Sequence, residues 1–144
     1  MKILMLLFTL NAHAGTTPAP STKSCEFYRE LQSQYQCTSS NYLSDAYKAC
    51  QDYLREQPQH SEALQTFLPA IRYCLQDKLS KVRSTNFCDH LTDNVIAEHI
   101  QCYTDNHYCS LSLKDKAVLG EMTFFKLFQK PWGKTAAEVN WHCI

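Results

Sequence analysis

The chain has 144 residues, with 14 Lys plus Arg against 14 Asp plus Glu, 44% hydrophobic residues, eight Cys and three Gly. That is the size of one domain, and its formal net charge of zero offers none of the surplus Lys and Arg that nucleic acid or an anionic membrane surface requires. Gly15, Gly120 and Gly133 stand far apart, which excludes P-loops, dinucleotide-binding fingerprints and glycine-rich metal loops.

Residues 1–14 read as a signal peptide. Lys2 is a minimal positive region, Ile3 to Leu10 an apolar run, and Ala12-His13-Ala14 a small-x-small cleavage site before Gly15. An apolar run of about eight residues is far short of the roughly twenty that a spanning helix needs, so no membrane span is expected. Without Lys2 the remaining chain carries a net charge of minus one. Residues 15–24, GTTPAPSTKS, contain two prolines, five Ser or Thr and no large apolar residue, and read as a flexible leader. No N-x-[ST] sequon occurs in the chain, so large N-glycans are not expected.

Residues 25–144 read as a single disulfide-rich helical domain. The expected fold is all-α, a compact disulfide-stapled bundle of about five helices plus a short C-terminal helix. Cys25, Tyr28, Leu31 and Tyr35 mark a first helix, and Leu43, Ala46, Tyr47, Cys50, Tyr53 and Leu54 a second that stops before Pro58. A third opens at Ser61 as N-cap and aligns Leu64, Phe67, Leu68, Ile71, Leu75, Leu79 and Val82, with Pro69 expected to kink it. Ser84, Thr85 and Asn86 interrupt the chain, after which Cys88, Leu91, Val95, His99 and Cys102 define one continuous fourth helix ending at Asp105-Asn106-His107. Ser112 and Asp115 form a capping box for a fifth helix that runs through Val118, Met122, Phe125 and Phe128 to Pro131. Thr135 and Glu138 repeat the box for a short last helix near Trp141 and Cys143.

Cys25, Cys37, Cys50, Cys74, Cys88, Cys102, Cys109 and Cys143 are even in number and all lie beyond the expected cleavage site. Four disulfides are the simplest account, and they imply an oxidising, extracellular compartment. Structural zinc would want close pairs such as C-x2-C, whereas the tightest spacing here is six intervening residues, between Cys102 and Cys109. Eight cysteines allow on the order of a hundred connectivities. Cys102 with Cys109 is the first pair expected, because the loop between them is long enough to turn back.

Three places were searched for chemistry. Cys88-Asp89-His90 places a His beside an Asp in a cysteine-bearing helix, as secreted phospholipases A2 do. That family's helix carries paired cysteines two residues before His-Asp and uses a glycine-rich calcium loop, and neither feature is present. Adjacent helix residues point about 100° apart, so Asp89 does not orient His90, whereas Asp93, three residues on, is within reach; the expected reading of His90 is a solvated side chain on the first helical turn. Residues 86–109 hold Asp89, Asp93, Glu98, Asp105 and three histidines but no Lys or Arg, a local acidic strip. His90, His99 and His107 share no i, i+4 spacing, so no helical metal site is expected. The third place is the aromatic run Phe124-Phe125-Lys126-Leu127-Phe128 with Trp132. Four large rings within nine residues exceed one helix face. Val118, Met122 and Phe125 share one line, expected to face the bundle, while Phe124, Leu127 and Trp132 are the candidate contacts for a partner or ligand. Serines lie in caps and turns, with no Gly-x-Ser-x-Gly elbow.

The cysteine spacings of 11, 12, 23, 13, 13, 6 and 33 intervening residues contain neither the central C-x3-C of insect odorant-binding proteins nor the early C-x2-C of saposins. The expected function is therefore that of a secreted, extracellular, non-enzymatic cysteine-rich protein. It would act as a toxin-like or effector-like ligand of an extracellular protein, a receptor or channel, without cofactor or metal. A carrier of a small apolar ligand is the alternative, and a secreted hydrolase the second alternative.

Overall fold

The computed structural model describes residues 18–82, 84–127 and 143, with the side chains of 84, 92, 93 and 123–127 excepted. Among the described residues the protein is all-α. It comprises α1 (Glu26–Tyr35), α2 (Tyr42–Glu56), α3 (Glu62–Ser80), α4 (Phe87–Asp93), α5 (Val95–Asp105) and α6 (Leu113–Leu127), with single 3-10 turns at Gln57–Gln59, Ser84–Asn86 and Tyr108–Ser110. No helix of the described residues is long and apolar enough to cross a membrane. The expected last helix lies outside the described residues.

Local chemistry sets the helix boundaries. The Ser61 hydroxyl accepts the Leu64 N–H at 3.2 Å and so caps α3. Ser112 accepts the Asp115 N–H at 3.0 Å, while its own hydroxyl donates to Asp115 Oδ2 at 2.7 Å, and these bonds start α6. Gln36 ends α1 in the left-handed region, φ 48°, where its N–H returns to the Gln32 carbonyl at 3.0 Å. Pro69 sits inside α3 without ending it. A proline there cannot donate to the carbonyl four residues back, and the Gln57 side-chain amide donates to that carbonyl, Gln65 O, at 3.3 Å instead.

The continuous fourth helix expected from the apolar spacing is two helices. Asn94, with φ −114° and ψ −19°, ends α4 and precedes α5. Leu91 and Val95 are both buried across the break, so the spacing of the core positions continues while the helix does not.

Two apolar clusters form the core. The first gathers Phe27, Tyr28 and Leu31 of α1, Leu43 and Cys50 of α2, Leu79 at the end of α3, Phe87 and Leu91 of α4, and Val95. The Tyr35 and Phe87 rings stack there with centroids 4.1 Å apart. The second cluster is built on the front of α3, with Leu64, Phe67, Leu68 and Ile71 packed against Cys102, Tyr108 and Leu119. Val118 and Met122 pack against it as expected for the core line of α6. α3 thus runs through both clusters and is the spine of the molecule.

All eight cysteines are paired: Cys25–Cys50, Cys37–Cys88, Cys74–Cys102 and Cys109–Cys143. Cys37–Cys88 crosses both Cys25–Cys50 and Cys74–Cys102 along the chain, so the first three bridges tie α1 to α5 in overlapping loops. The expected Cys102–Cys109 pair is corrected. Cys102 lies on the fully buried face of α5 that packs on α3, opposite Cys74 at a Cα separation of 5.8 Å. Cys109 stands on the exposed 3-10 turn beyond α5 and reaches Cys143, 34 residues on.

Candidate functional site

The break at Asn94 creates the most chemically varied surface among the described residues. It opens a cleft of about 590 Å³ whose walls include Lys78 and Lys81 from the end of α3, Asp89 and His90 from α4, and Asn94 and Glu98 from the break and α5. His90 Nε2 and Glu98 Oε1 lie 3.0 Å apart, both side chains about one-fifth exposed. Residues eight apart in a straight helix would be separated by roughly 12 Å along its axis, so this contact exists because the helix breaks. On the facing wall the Lys78 ammonium donates to Gln101 Oε1 at 2.7 Å, and the Lys81 ammonium to Asp77 Oδ2 at 2.6 Å.

The acid that reaches His90 is thus Glu98. The Asp93 side chain lies outside the described residues. The other two histidines stand elsewhere. His99 Nδ1 is 2.7 Å from the Val95 carbonyl and its ring meets Tyr42 edge-on, while His107 starts the 3-10 turn in the left-handed region, φ 66°. No group of three His, Cys, Asp or Glu among the described residues is placed to hold a metal ion. A His oriented by a carboxylate is half of a general-base arrangement, but the cysteines are all in disulfides and so supply no thiolate.

A second polar site lies inside the fold. Arg72 and Gln76 are buried on α3, with relative exposures of 4% and 0%, and they hold residues 21–24. Gln76 Oε1 accepts the Ser21 N–H at 2.6 Å, Gln76 Nε2 donates to the Ser24 carbonyl at 2.9 Å, and Arg72 Nη1 donates to the Thr22 carbonyl. Arg72 Nη2 donates to Gln57 Oε1 at 3.3 Å, while Nε has no partner among the described residues. Burial draws the Arg72 pKa down, against an opposing effect from the nearby Tyr28. The last part of the expected leader therefore lies against α3. Arg72 and Gln76 escaped the sequence reading because attention fell on apolar spacing. The available signal was that both continue the four-residue line Leu64, Leu68 into positions where a core helix would carry Leu.

Phe124 and Leu127 belong to the last turns of α6, but their side chains lie outside the described residues, as does Trp132 altogether. A second groove, of about 460 Å³ and lined in part by Ala63, Phe67, Ala70 and Leu111, runs between α3 and the turn before α6. Comparison of the chain with protein-family models, with curated proteins and with solved structures found no match of any kind.

Proposed function

We propose that the protein is a secreted, non-enzymatic binding module that acts on an extracellular protein partner, a receptor or channel. The observation that carries this reading is the complete pairing of eight cysteines in four bridges. Such bridges persist in oxidising compartments. They also hold a small domain's surface in one conformation before contact, which reduces the ordering cost of binding. Phe124, Leu127 and Trp132 remain the proposed contact residues.

The test is binding of fluorescently labelled native protein to intact cells or tissue of the source organism. Saturable binding that unlabelled native protein competes away, and that reduction and alkylation abolish, is the expected outcome. Non-saturable binding, or equal binding by the reduced form, would remove the reading.

The His90–Glu98 contact favours a second reading, a hydrolase in which His90 is the base and Glu98 orients it. Ester or phospholipid turnover by purified protein that disappears in His90→Ala would establish that reading in place of the first. Native mass spectrometry showing a copurified lipid would instead favour a carrier using the apolar groove beside Phe67.

A further inference from the structure

We infer that Arg72 and Gln76 form a slot on α3 that reads the main chain of a short bent peptide, filled in cis by residues 21–24 and open to a peptide segment of a partner protein in their place. The inference deepens the binder reading by giving the chemistry of a partner.

Three features carry it. First, every hydrogen bond between the slot and residues 21–24 goes to main-chain atoms: the Ser21 N–H, the Thr22 carbonyl and the Ser24 carbonyl. A side-chain amide that accepts from one peptide unit and donates to another treats the occupant as a strand neighbour would. Such recognition tolerates any small side chains. The occupant is kept bent by its own Ser21 hydroxyl, which accepts the Lys23 N–H at 3.1 Å.

Second, the slot is costly as a purely structural device. A buried guanidinium and a buried amide lose their hydration, and apolar residues of similar size would fill the same line of α3 without that loss. Among the described residues Arg72 Nε stays without a partner even with residues 21–24 in place, which leaves one donor that a better-fitting peptide would satisfy.

Third, the cis occupant can leave without unravelling the fold. The core begins at Cys25, 1% exposed, and the Cys25–Cys50 bridge clamps the chain immediately beyond the slot. Residues 21–24 therefore compete as a tethered ligand, at an effective concentration on the order of millimolar.

The test uses the full chain, isotope-labelled for NMR, and the peptide acetyl-TPAPSTKS-amide, which copies residues 17–24. Ser21→Pro in the chain deletes the N–H that Gln76 accepts and weakens the cis occupant. The peptide should then shift the Gln76 side-chain amide signals saturably and bind at least about tenfold more tightly than to the unsubstituted chain. Replacing the peptide's Thr at position 22 by Ala should change affinity by no more than about threefold. N-methylation at the position of Ser21 should abolish binding, and so should Gln76→Ala in the protein. No saturable shift up to about 10 mM peptide, or a shift that persists in Gln76→Ala, overturns the inference. If Ser21→Pro fails to fold, the unsubstituted chain decides, since its Ser21 and Gln76 amide signals must still move together at high peptide concentration. Shifts produced by raising the protein concentration alone would assign the slot to a second copy and overturn the partner assignment. The peptide experiment uses purified protein and the cell-binding experiment uses no peptide, so either can fail without the other.

Discussion

Ser61 and Asp115 lie 54 residues apart in the chain, and the Ser61 hydroxyl donates to Asp115 Oδ1 at 2.7 Å. Ser61 caps α3 and Ser112 caps α6, so the one carboxylate is shared by the caps of two helices. Helix N-termini carry partial positive charge, and here two of them converge on Asp115. The Ser112 hydroxyl first, then that of Ser61, hold the Asp115 pKa below its ordinary value. A carboxylate with a depressed folded pKa stabilises the fold above the unfolded value, near 4, and loses that contribution as pH falls through the folded one. The expected outcome is that Asp115→Asn lowers the melting temperature at neutral pH and that the difference from the unsubstituted protein narrows below about pH 4. Ser61→Ala should cost about 1 kcal/mol in denaturant unfolding, as for other N-cap losses.

The bridges predict an order of reduction. Cys109 is exposed on its turn, whereas Cys102 is fully buried beneath α3. Thiol–disulfide exchange requires access of the attacking thiolate. Titration of the native protein should find no free thiol, and limited reduction followed by alkylation and peptide mapping should label Cys109 and Cys143 before Cys74 and Cys102. Replacing Cys74 and Cys102 together by Ala opens a loop with a sequence separation of 28 and should cost about 3–4 kcal/mol by the chain-entropy account.

The parts of this fold legible in the sequence are those fixed by neighbours. Ser61 and the Ser112–Asp115 box were readable because a cap depends on residues within one turn, and the even cysteine count foretold complete pairing. The pairing itself was not readable. Cys102 meets Cys74 because α5 lies on α3, a tertiary fact to which the short spacing between Cys102 and Cys109 is irrelevant. The break at Asn94 was hidden for a related reason: Leu91 and Val95 both reach the core, so the apolar period ran straight across it. With the break went the His90–Glu98 contact, since no spacing rule pairs residues eight apart. Arg72 and Gln76 were hidden because their partners are main-chain atoms of residues 21–24, which composition alone marks as a leader.

Gly120 lies inside α6, and among the described residues nothing stands within 4 Å of where a Cβ would be. Glycine in a helix interior costs about 1 kcal/mol relative to alanine, chiefly through the freedom of the unfolded chain. Gly120→Ala should therefore raise the denaturant midpoint by an amount corresponding to about 0.5–1 kcal/mol, with the slope of the transition unchanged. A loss of stability would show that the backbone at this position is approached by residues from the end of the chain.

Four tyrosines give the molecule an alkaline limit. Burial raises the pKa of Tyr28, Tyr42 and Tyr53, and pushes that of Tyr103 up to about 12. Tyr103 and Tyr53 are joined by a side-chain hydrogen bond. A group whose folded pKa is raised contributes stability that is fully present below the unfolded value, near 10, and is lost as pH rises through the folded one. Tyrosinate absorbance of these four rings should therefore be missing at pH 10 and appear only as the protein unfolds at higher pH. Tyr53→Phe removes one partner of this bond, at an expected cost of about 1 kcal/mol. Circular dichroism followed against pH should show its alkaline transition at a lower pH than in the unsubstituted protein. Ionisation of these four rings near pH 10 with helicity retained would show that their hydroxyls are in contact with water.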